Sequence, residues 1–254
     1  EAIACGANLI VAHHAIIFRP LKHLQTNTPA GKLYEKLIKN DIAVYIAHTN
    51  LDCAVGGVND MMAEALGLEN CEVLDPIYEE SLLKFVVFVP QEHREQVMNA
   101  IFEAGAGAIG EYSHCGYYVS GTGTFLPSEQ ANPFIGQPGK REVVAEDRVE
   151  AIVPEPLRTK VEKAMRQAHP YEEPAFDWIP LKQPGKIYGL GRCGSLPQPM
   201  SLGELAEKVK AAFNVPFVRV VGSSDLPVRR VAVLGGSGAK YFRLALQKGA
   251  DAYI

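Results

Sequence analysis

The sequence predicts a mixed α/β protein in which an α+β segment of the ferredoxin-like type lies between two α/β segments. Short apolar stretches typical of buried strands alternate with helical stretches near both ends of the chain. A strand–helix pair occurs twice in the middle, with Val89-Pro90 of the first copy matched by Val153-Pro154 of the second, 64 positions later. Near the end of the chain, Gly249–Ile254 parallels Gly6–Val11 in sequence. We therefore expect three segments, 1–80, 81–183 and 184–254.

The first segment has the pattern of a βαβ unit. Leu9–Ala12 is a short apolar stretch of the kind that forms a buried strand. Thr28 and Pro29 then supply an N-cap and a proline at the first helical position. A second apolar strand is expected over 42–47. Since such connections are right-handed and their strands parallel, both strands should end at the same edge of the sheet.

Residues of the kinds that bind metals follow both strands. His13 and His14 come directly after the first strand, and His48 and Asp52 come after the second. The adjacent histidines alone fit equally well a pair of hydrogen-bonded polar residues that cap a core strand. Imidazole and carboxylate groups at two converging strand ends favour a metal site at this edge.

The middle segment has the pattern of a duplicated βαβ unit. The first strand and helix are expected over 83–90 and 92–104, and the second pair over 150–168. Two further strand-like stretches, 115–125 and 142–151, lie between the pairs. This order of elements is the ferredoxin-like arrangement.

One motif of the middle segment has two interpretations. The stretch His169-Pro-Tyr-Glu-Glu-Pro174 resembles the H-P-Y-E-x-P of the divalent-cation-tolerance and PII-like trimeric proteins, which share the ferredoxin-like fold. A functional interpretation makes His169 and Glu172 part of a cleft or an intersubunit site. The interpretation we favour is a rigid turn, in which two prolines frame the start of the last strand.

Two glycine-rich stretches of the last segment do not predict a nucleotide cofactor. The run Gly189–Gly194 fits the letters G-x-G-x-x-G, but Pro197 and Pro199 follow where that motif requires a helix. The turn Gly235–Gly238 lies between a strand and a helix and lacks the lysine of a phosphate-binding loop. Its glycines fit either contact with an anion or close packing of the helix on the strand. We assign no cofactor-binding residue.

Composition excludes several classes of function. The chain has 254 residues with 25 basic and 29 acidic side chains, and no run of five lysines or arginines, which argues against nucleic-acid binding. No apolar stretch approaches the length of a membrane span. The five cysteines are scattered without a C-x-x-C pair and no signal peptide is visible, which favours reduced thiols and a cytoplasmic location.

Two stretches resemble the Nif-three-like family (NGG-one-interacting factor three), also called GTP cyclohydrolase I type-two homologues. They are GANLIVAHHAIIFRPLKHL at 6–24 and AVYIAHTNLDCAVGGVNDMMAEALGL at 43–68. The family signature is a double histidine, then H-T-N-x-D, then G-G-V-N-D. The resemblance implies that His13, His14 and Asp52 bind a dinuclear metal centre. His48 would lie next to these ligands without binding the metal, or would shape the turn. Ala15 stands where many relatives have proline, which removes no ligand.

The resemblance covers nearly the whole chain and implies a three-part organisation. In that form a PII-like domain interrupts an α/β domain, so segments 1–80 and 184–254 should fold together as one discontinuous domain. The chain ends in a strand-like stretch, and the resemblance implies that a later histidine and glutamate complete the metal site. We therefore expect this chain to be a piece of a longer polypeptide.

The function that the resemblance implies is a hydrolase of the GTP cyclohydrolase type with two divalent ions per subunit. Zinc, iron and manganese all suit a mixed imidazole–carboxylate site, and the substrate would be a small nucleotide or another phosphate-bearing molecule. We assign no catalytic residue. The alternative is a metal-binding regulatory or scaffold protein with the PII-like domain as sensor.

The resemblance also implies a homo-oligomer in the form of a ring of six subunits. The middle segment is rich in aromatic residues on short strands, and tyrosine and phenylalanine are enriched in interface cores. The alternative is that these side chains fill a modest core. The residues concerned are Phe85, Phe88, Tyr112, Tyr117, Tyr118 and Phe125.

Overall fold

The computed structural model describes residues 1–254, which form two compact units. Unit 1 consists of Glu1–Tyr78 together with Ile187–Ile254, and unit 2 consists of Glu79–Lys186. None of the helices combines the length and the apolar character that crossing a membrane requires. All five cysteines are free thiols.

The elements alternate between strands and helices along most of the chain. The strands are β1 (Leu9–Ala12), β2 (Ala43–Ile46), β3 (Glu69–Glu79), β4 (Leu82–Pro90), β5 (Gly116–Phe125), β6 (Glu142–Pro154), β7 (Phe176–Pro180), β8 (Ile187–Ser201), β9 (Pro227–Val233) and β10 (Ala252–Tyr253). The helices are α1 (Pro29–Lys39), α2 (Thr49–Cys53), α3 (Val58–Ala65), α4 (Arg94–Glu103), α5 (Arg158–Ala168), α6 (Leu202–Phe213) and α7 (Phe242–Gln247).

The first sheet of unit 1 is a parallel pair, β1 with β2. Leu9 pairs with Ala43 and Ala12 pairs with Ile46, so both strands end at the same edge. The helix between them, α1, begins as its sequence predicts, because the Thr28 side chain accepts a hydrogen bond from the Gly31 amide at 3.0 Å.

The prediction that β1 is a buried strand is only half right. Exposure alternates along it, with Leu9 at 51% and Val11 at 65% on the open face. The other face is less exposed, and Val44 of β2, which pairs with Ile10, lines a cleft with Tyr34 and Leu37 of α1. Because one face of this pair is left uncovered, the strand is apolar in sequence without being enclosed.

The second sheet of unit 1 has the strand order β10-β9-β8-β3, with β9 antiparallel to β8 and parallel to β10. Helix α6 starts with a complete capping box between Ser201 and Glu204. Its residues Leu205 and Val209 pack in a core that includes Val231 of β9. A second cluster around Leu74, Cys193, Ala232 and Ala245 packs α7 against the same sheet.

Unit 2 has one antiparallel sheet in the order β5-β6-β4-β7. Helix α4 connects β4 to β5 and helix α5 connects β6 to β7. One apolar core joins both helices to one face of the sheet, and it contains Phe85, Val87, Val89, Val97, Ile101, Val149, Ala151, Val153, Val161 and Met165. Alternate residues of β4 and β6 therefore lie on the opposite face.

The structure differs from the sequence-based expectation for unit 2 in two details. The stretches expected over 142–151 and 150–154 form a single strand of 13 residues, β6. The aromatic residues also divide between two environments, because Phe85 is fully buried while Tyr112, Tyr117 and Tyr118 are 75%, 66% and 43% exposed. The chain as a whole is a mixed α/β protein with three sheets.

Candidate metal centre

Three histidines meet at the shared edge of β1 and β2. His13 and His14 follow β1 directly, and His48 follows β2 after one residue, Ala47. One ring nitrogen from each of the three lies within 4.8 Å of the others. The ring centroids of His13 lie 4.9 Å from those of both His14 and His48, and the latter two are 5.7 Å apart. The parallel pairing of the two strands thus gathers imidazoles that are 34 or 35 positions apart in sequence.

A hydrogen bond to the main chain orients His13. Its Nδ1 atom lies 2.8 Å from the carbonyl oxygen of Ala47. A carbonyl oxygen only accepts, so Nδ1 is the nitrogen that carries the hydrogen and donates it. In the neutral ring this leaves the lone pair on Nε2, which lies 3.9 Å from Oδ1 of Asp52. Metal-binding histidines are commonly fixed in this way, with the second ring nitrogen bonded to a carbonyl group.

Helix α2 brings Asp52 beside the histidines. The amide of Asp52 donates to the carbonyl of His48 at 3.1 Å, which sets the carboxylate one helical turn beyond that histidine. Its side chain is only 14% exposed. Burial, together with the neighbouring Asp52 carboxylate, raises the pKa of the Cys53 thiol, so this cysteine stays protonated at neutral pH.

The donor set fits a divalent transition metal. Three imidazoles and one carboxylate are ligands that zinc, iron and manganese accept, and His13 already has its second nitrogen occupied. Of the residues expected from the sequence to bind metal, His13 and His14 belong to the histidine cluster, and Asp52 lies 3.9 Å from His13. His48 lies equally close, although the family signature gives it no ligand role.

The loop after α2 is held by a buried asparagine of the G-G-V-N-D stretch. Asn59 is fully buried, and its Nδ2 atom donates to the carbonyl of Asp52 at 2.8 Å. Its Oδ1 atom accepts from the amide of Gly235 at 2.9 Å. A Cβ atom at Gly57 would lie 2.0 Å from the carbonyl oxygen of Leu51, so only glycine fits there. The G-G-V-N-D stretch therefore holds the main chain of Asp52 in position.

An ion pair between α3 and β8 could not be predicted from the sequence. Arg192, only 4% exposed, bonds both carboxylate oxygens of Asp60, with Nη2 at 3.0 Å from Oδ2. It also donates to the carbonyls of Gly189 and Gly191. The two partners are 132 positions apart, so no local sequence signal connects them.

The glycine-rich stretches of the last segment serve packing. The run 189–194 lies within β8, where a Cβ at Gly189 would be 2.0 Å from the carbonyl oxygen of Asp75. In the turn 235–238, a Cβ at Gly238 would be 2.4 Å from the hydroxyl of Tyr253, which donates to the Gly238 carbonyl at 2.8 Å. Of the two interpretations of this turn, the contacts favour close packing.

The His169 motif forms a turn, as the favoured interpretation predicts. His169 is 6% exposed, its Nε2 donates to the Phe88 carbonyl at 2.9 Å, and its Nδ1 accepts from the Tyr171 amide at 3.0 Å. Burial lowers the pKa of this imidazole, so the ring stays neutral and keeps both bonds. Tyr171 and Glu172 nevertheless line a cavity of unit 2.

Comparison with known proteins gives one consistent family. The model of the family described as Duf34/NIF3 (NGG1p interacting factor 3) matches residues 1–254. Proteins named "GTP cyclohydrolase 1 type 2 homolog" from Halalkalibacterium halodurans and Bacillus subtilis are 55% and 52% identical over 254 residues. These alignments cover 100% of this chain and 68% of each relative. A crystal structure of a Bacillus cereus protein related to NIF3 has a TM-score of 0.91 at 54% identity, covering 99% of this chain and 67% of that one.

Proposed function

Because the chain belongs to the Duf34/NIF3 family, whose curated relatives bear the name GTP cyclohydrolase 1 type 2 homolog, we propose that it forms part of a divalent-metal-dependent hydrolase. The observation that supports this most directly is the meeting of His13, His14 and His48 within 4.8 Å, with the Asp52 carboxylate 3.9 Å from His13. The substrate class is a small nucleotide or another phosphate-bearing molecule.

The ligands that we propose are His13, His14 and Asp52, for two ions of zinc, iron or manganese per subunit. When bound, such ions lower the pKa of a coordinated water to near neutrality and polarise the bond to be hydrolysed. The residues of this chain prepare the site. Ala47 fixes the ring of His13 through its carbonyl group, and Asn59 holds the main chain of Asp52.

The test is metal uptake and turnover by the full-length protein. Equilibrium dialysis followed by elemental analysis measures bound zinc, iron and manganese, and a panel of nucleoside triphosphates measures hydrolysis. We expect His13→Ala to lower both. His23→Ala is the matched control, since His23 is an exposed histidine outside the cluster. Metal uptake that is equal in wild type and His13→Ala would contradict the proposed site.

The alternative is a metal-binding regulatory or scaffold protein in which unit 2 is a PII-like sensor domain inserted into the α/β domain. Supporting it are the strand order β5-β6-β4-β7, the two connecting helices, and a cavity within that unit. Metal uptake that is lost in His13→Ala, without turnover of any nucleotide by the wild type, would favour this alternative.

We further propose a cytoplasmic homo-oligomer, in the form of a hexamer. The exposed tyrosines of unit 2, Tyr112, Tyr117 and Tyr118, suit an interface between subunits. Light scattering on the full-length protein at micromolar concentration measures the mass, and a monomer would refute this proposal.

A further inference from the structure

Two adjacent acidic residues of β6 in unit 2 have very different surroundings. Asp147, fully buried, accepts hydrogen bonds from Ser120 Oγ at 2.7 Å, Arg94 Nη1 at 2.9 Å and Gln91 Nε2 at 3.2 Å. Burial works against its ionisation, but these hydrogen bonds and the Arg94 charge outweigh it, and the pKa of Asp147 is lowered. The charge of this carboxylate is therefore fully compensated.

Glu146 lies on the opposite face of the sheet and lacks such compensation. It is 8% exposed, and its one hydrogen bond is donated by the Tyr171 hydroxyl to Oε1 at 2.9 Å. No lysine, arginine or histidine of the chain forms an ion pair with it, and its Oε2 atom receives no hydrogen bond. Every enclosed side-chain oxygen of the chain has a hydrogen-bond partner, so Oε2 of Glu146 is reached by solvent and is free to accept a further partner.

A cavity of about 410 Å³ opens beside this carboxylate. Its walls are largely apolar and aromatic, and they include Phe88, Phe125, Leu126, Pro133, Phe134 and Ile135. The ring of Tyr171 lies 5.9 Å from that of Phe125 and 6.3 Å from that of Phe134, measured between centroids. A Cβ at Gly123 would lie 2.0 Å from Oε2 of Glu146, so the glycine makes room for the carboxylate in its present position.

The charges around the cavity are acidic. Glu172 and Glu173 also line it, and Glu172 accepts a hydrogen bond from the Asn132 amide at 3.1 Å, which ties the segment after β5 to this rim. Burial and the adjacent Glu146 raise the pKa of Tyr171, so its hydroxyl stays protonated and remains a donor. An anionic ligand is disfavoured by this arrangement.

The residues that line the cavity favour an organic ammonium ion over a hard metal ion. Hard metal ions need several oxygen ligands around one position, whereas the three carboxylates that line this cavity do not form a group close enough to share a metal ion. Organic ammonium ions instead gain from a carboxylate partner and from the faces of aromatic rings. The volume of the cavity also falls in the range of small-molecule sites.

We propose that the cavity of unit 2 binds a small organic ammonium ion, whose nitrogen pairs with the carboxylate of Glu146 and whose hydrocarbon part lies against Phe125, Phe134 and Tyr171. Such a ligand supplies the charge that Glu146 lacks within the protein and fills an apolar space. This binding site is separate from the proposed metal centre and does not depend on it.

The test is isothermal titration of the chain with choline, benzyltrimethylammonium and phenethylamine. The neutral isostere of choline, 3,3-dimethylbutan-1-ol, measures the contribution of the charge. We expect at least one of the cations to bind in the millimolar range or tighter, and the neutral compound to bind at least about tenfold more weakly. Failure of all three cations to bind in the millimolar range would overturn the proposal.

Two variants locate the binding. Glu146→Gln keeps the shape of the side chain and an oxygen acceptor for Tyr171, and we expect it to weaken binding by about tenfold or more. Phe134→Leu, at a 55% exposed position, should weaken binding without disturbing the sheet. The matched control is Asp177→Asn, which removes an exposed charge of β7 outside the cavity. Equal affinity in Glu146→Gln and wild type, with both folded by circular dichroism, would overturn the proposal.

Discussion

The Nδ1 atom of His13 lies 2.8 Å from the carbonyl oxygen of Ala47, so the end of β2 orients a side chain that belongs to the end of β1. The acceptor is a main-chain atom and its position follows from the parallel pairing of the strands. The lone pair of His13 therefore points away from Ala47, with Asp52 3.9 Å distant. The main chain of the sheet, rather than a further side chain, therefore orients this imidazole.

The first prediction concerns Asp52→Asn. Removing the one carboxylate near His13 takes away the negative charge of the ligand set, and we expect affinity for zinc and manganese to fall by about 100-fold or more, above the range for residues that only surround a site. Competition with a chelator measures the affinity. Asp41→Asn is the control, because Asp41 is exposed and asparagine tolerates its positive φ of 51°. Similar losses in the two variants would contradict the role of Asp52.

The second prediction separates His48 from the ligands. If His48 contacts the ligands without binding the metal itself, His48→Gln should lower metal affinity by about 10–100-fold, less than His14→Gln does. The Nδ1 atom of His48 lies 3.1 Å from the Thr49 hydroxyl, an interaction typical of a residue that shapes the turn. The same chelator competition compares the two variants. Equal losses would show that His48 is itself a ligand.

The sequence allowed the edge of β1 and β2 to be predicted because the relevant geometry is local. A βαβ unit has one common handedness, so Leu9–Ala12 and the strand that ends at Ile46 had to bring their following residues together. The open face of β1 could not be predicted, because an apolar stretch does not reveal what covers it. The same βαβ argument placed His48 near His13 and His14, whereas which ring nitrogens face one another depends on side-chain directions that sequence spacing leaves open.

Pairings between distant residues account for most of what was missed. Asp60 and Arg192 meet across 132 positions, and Asp147 meets Arg94 across 53. Such partners are selected by the packing of whole elements, so neither member is recognisable in its own stretch of sequence. The same holds for Glu146, whose lack of a cation emerges only when the surroundings of both faces of β6 are known.

The third prediction is that Asp60→Asn destabilises unit 1. Arg192 has a side chain only 5% exposed and would keep its charge without a carboxylate partner. Loss of one member of a buried pair costs about 3–5 kcal/mol, and we expect about 2–4 kcal/mol here because the Asp60 side chain is 30% exposed. Urea unfolding followed by circular dichroism measures the change. Glu64→Gln, an exposed acidic position on the same helix, should change stability little.

The fourth prediction is a pH dependence of unit 2 that arises from His169. Burial lowers the pKa of this imidazole in the folded state, whereas the unfolded chain has a pKa of about 6.5. The unfolded state therefore binds the proton more readily, and the contribution of neutral His169 is complete above about pH 6.5 and is lost as the pH falls towards the folded pKa. The free-energy difference between wild type and His169→Gln should shrink over that interval.

This dependence is measurable by urea unfolding between neutral and acidic pH, with the fluorescence of Trp178, the sole tryptophan, as the signal from unit 2. His114→Asn is the control, since His114 is an exposed histidine of the same unit and asparagine tolerates its positive φ of 59°. A change with pH in His114→Asn as large as that in His169→Gln would show that the dependence does not arise from His169. A constant difference for His169→Gln would also contradict the assignment.

The last prediction is that residues 79–186 fold on their own when excised. This segment contains a complete four-stranded sheet and both helices that cover one face, and its core is a single cluster that includes Phe85, Val97, Val161 and Met165, all fully buried. A unit with its own enclosed core should unfold cooperatively, because its burial does not depend on the remainder of the chain. Circular dichroism should give a mixed helix–strand spectrum, and a single urea transition should appear in both circular dichroism and Trp178 fluorescence. A random-coil spectrum, or transitions that differ between the two signals, would show that the segment needs its neighbours to fold.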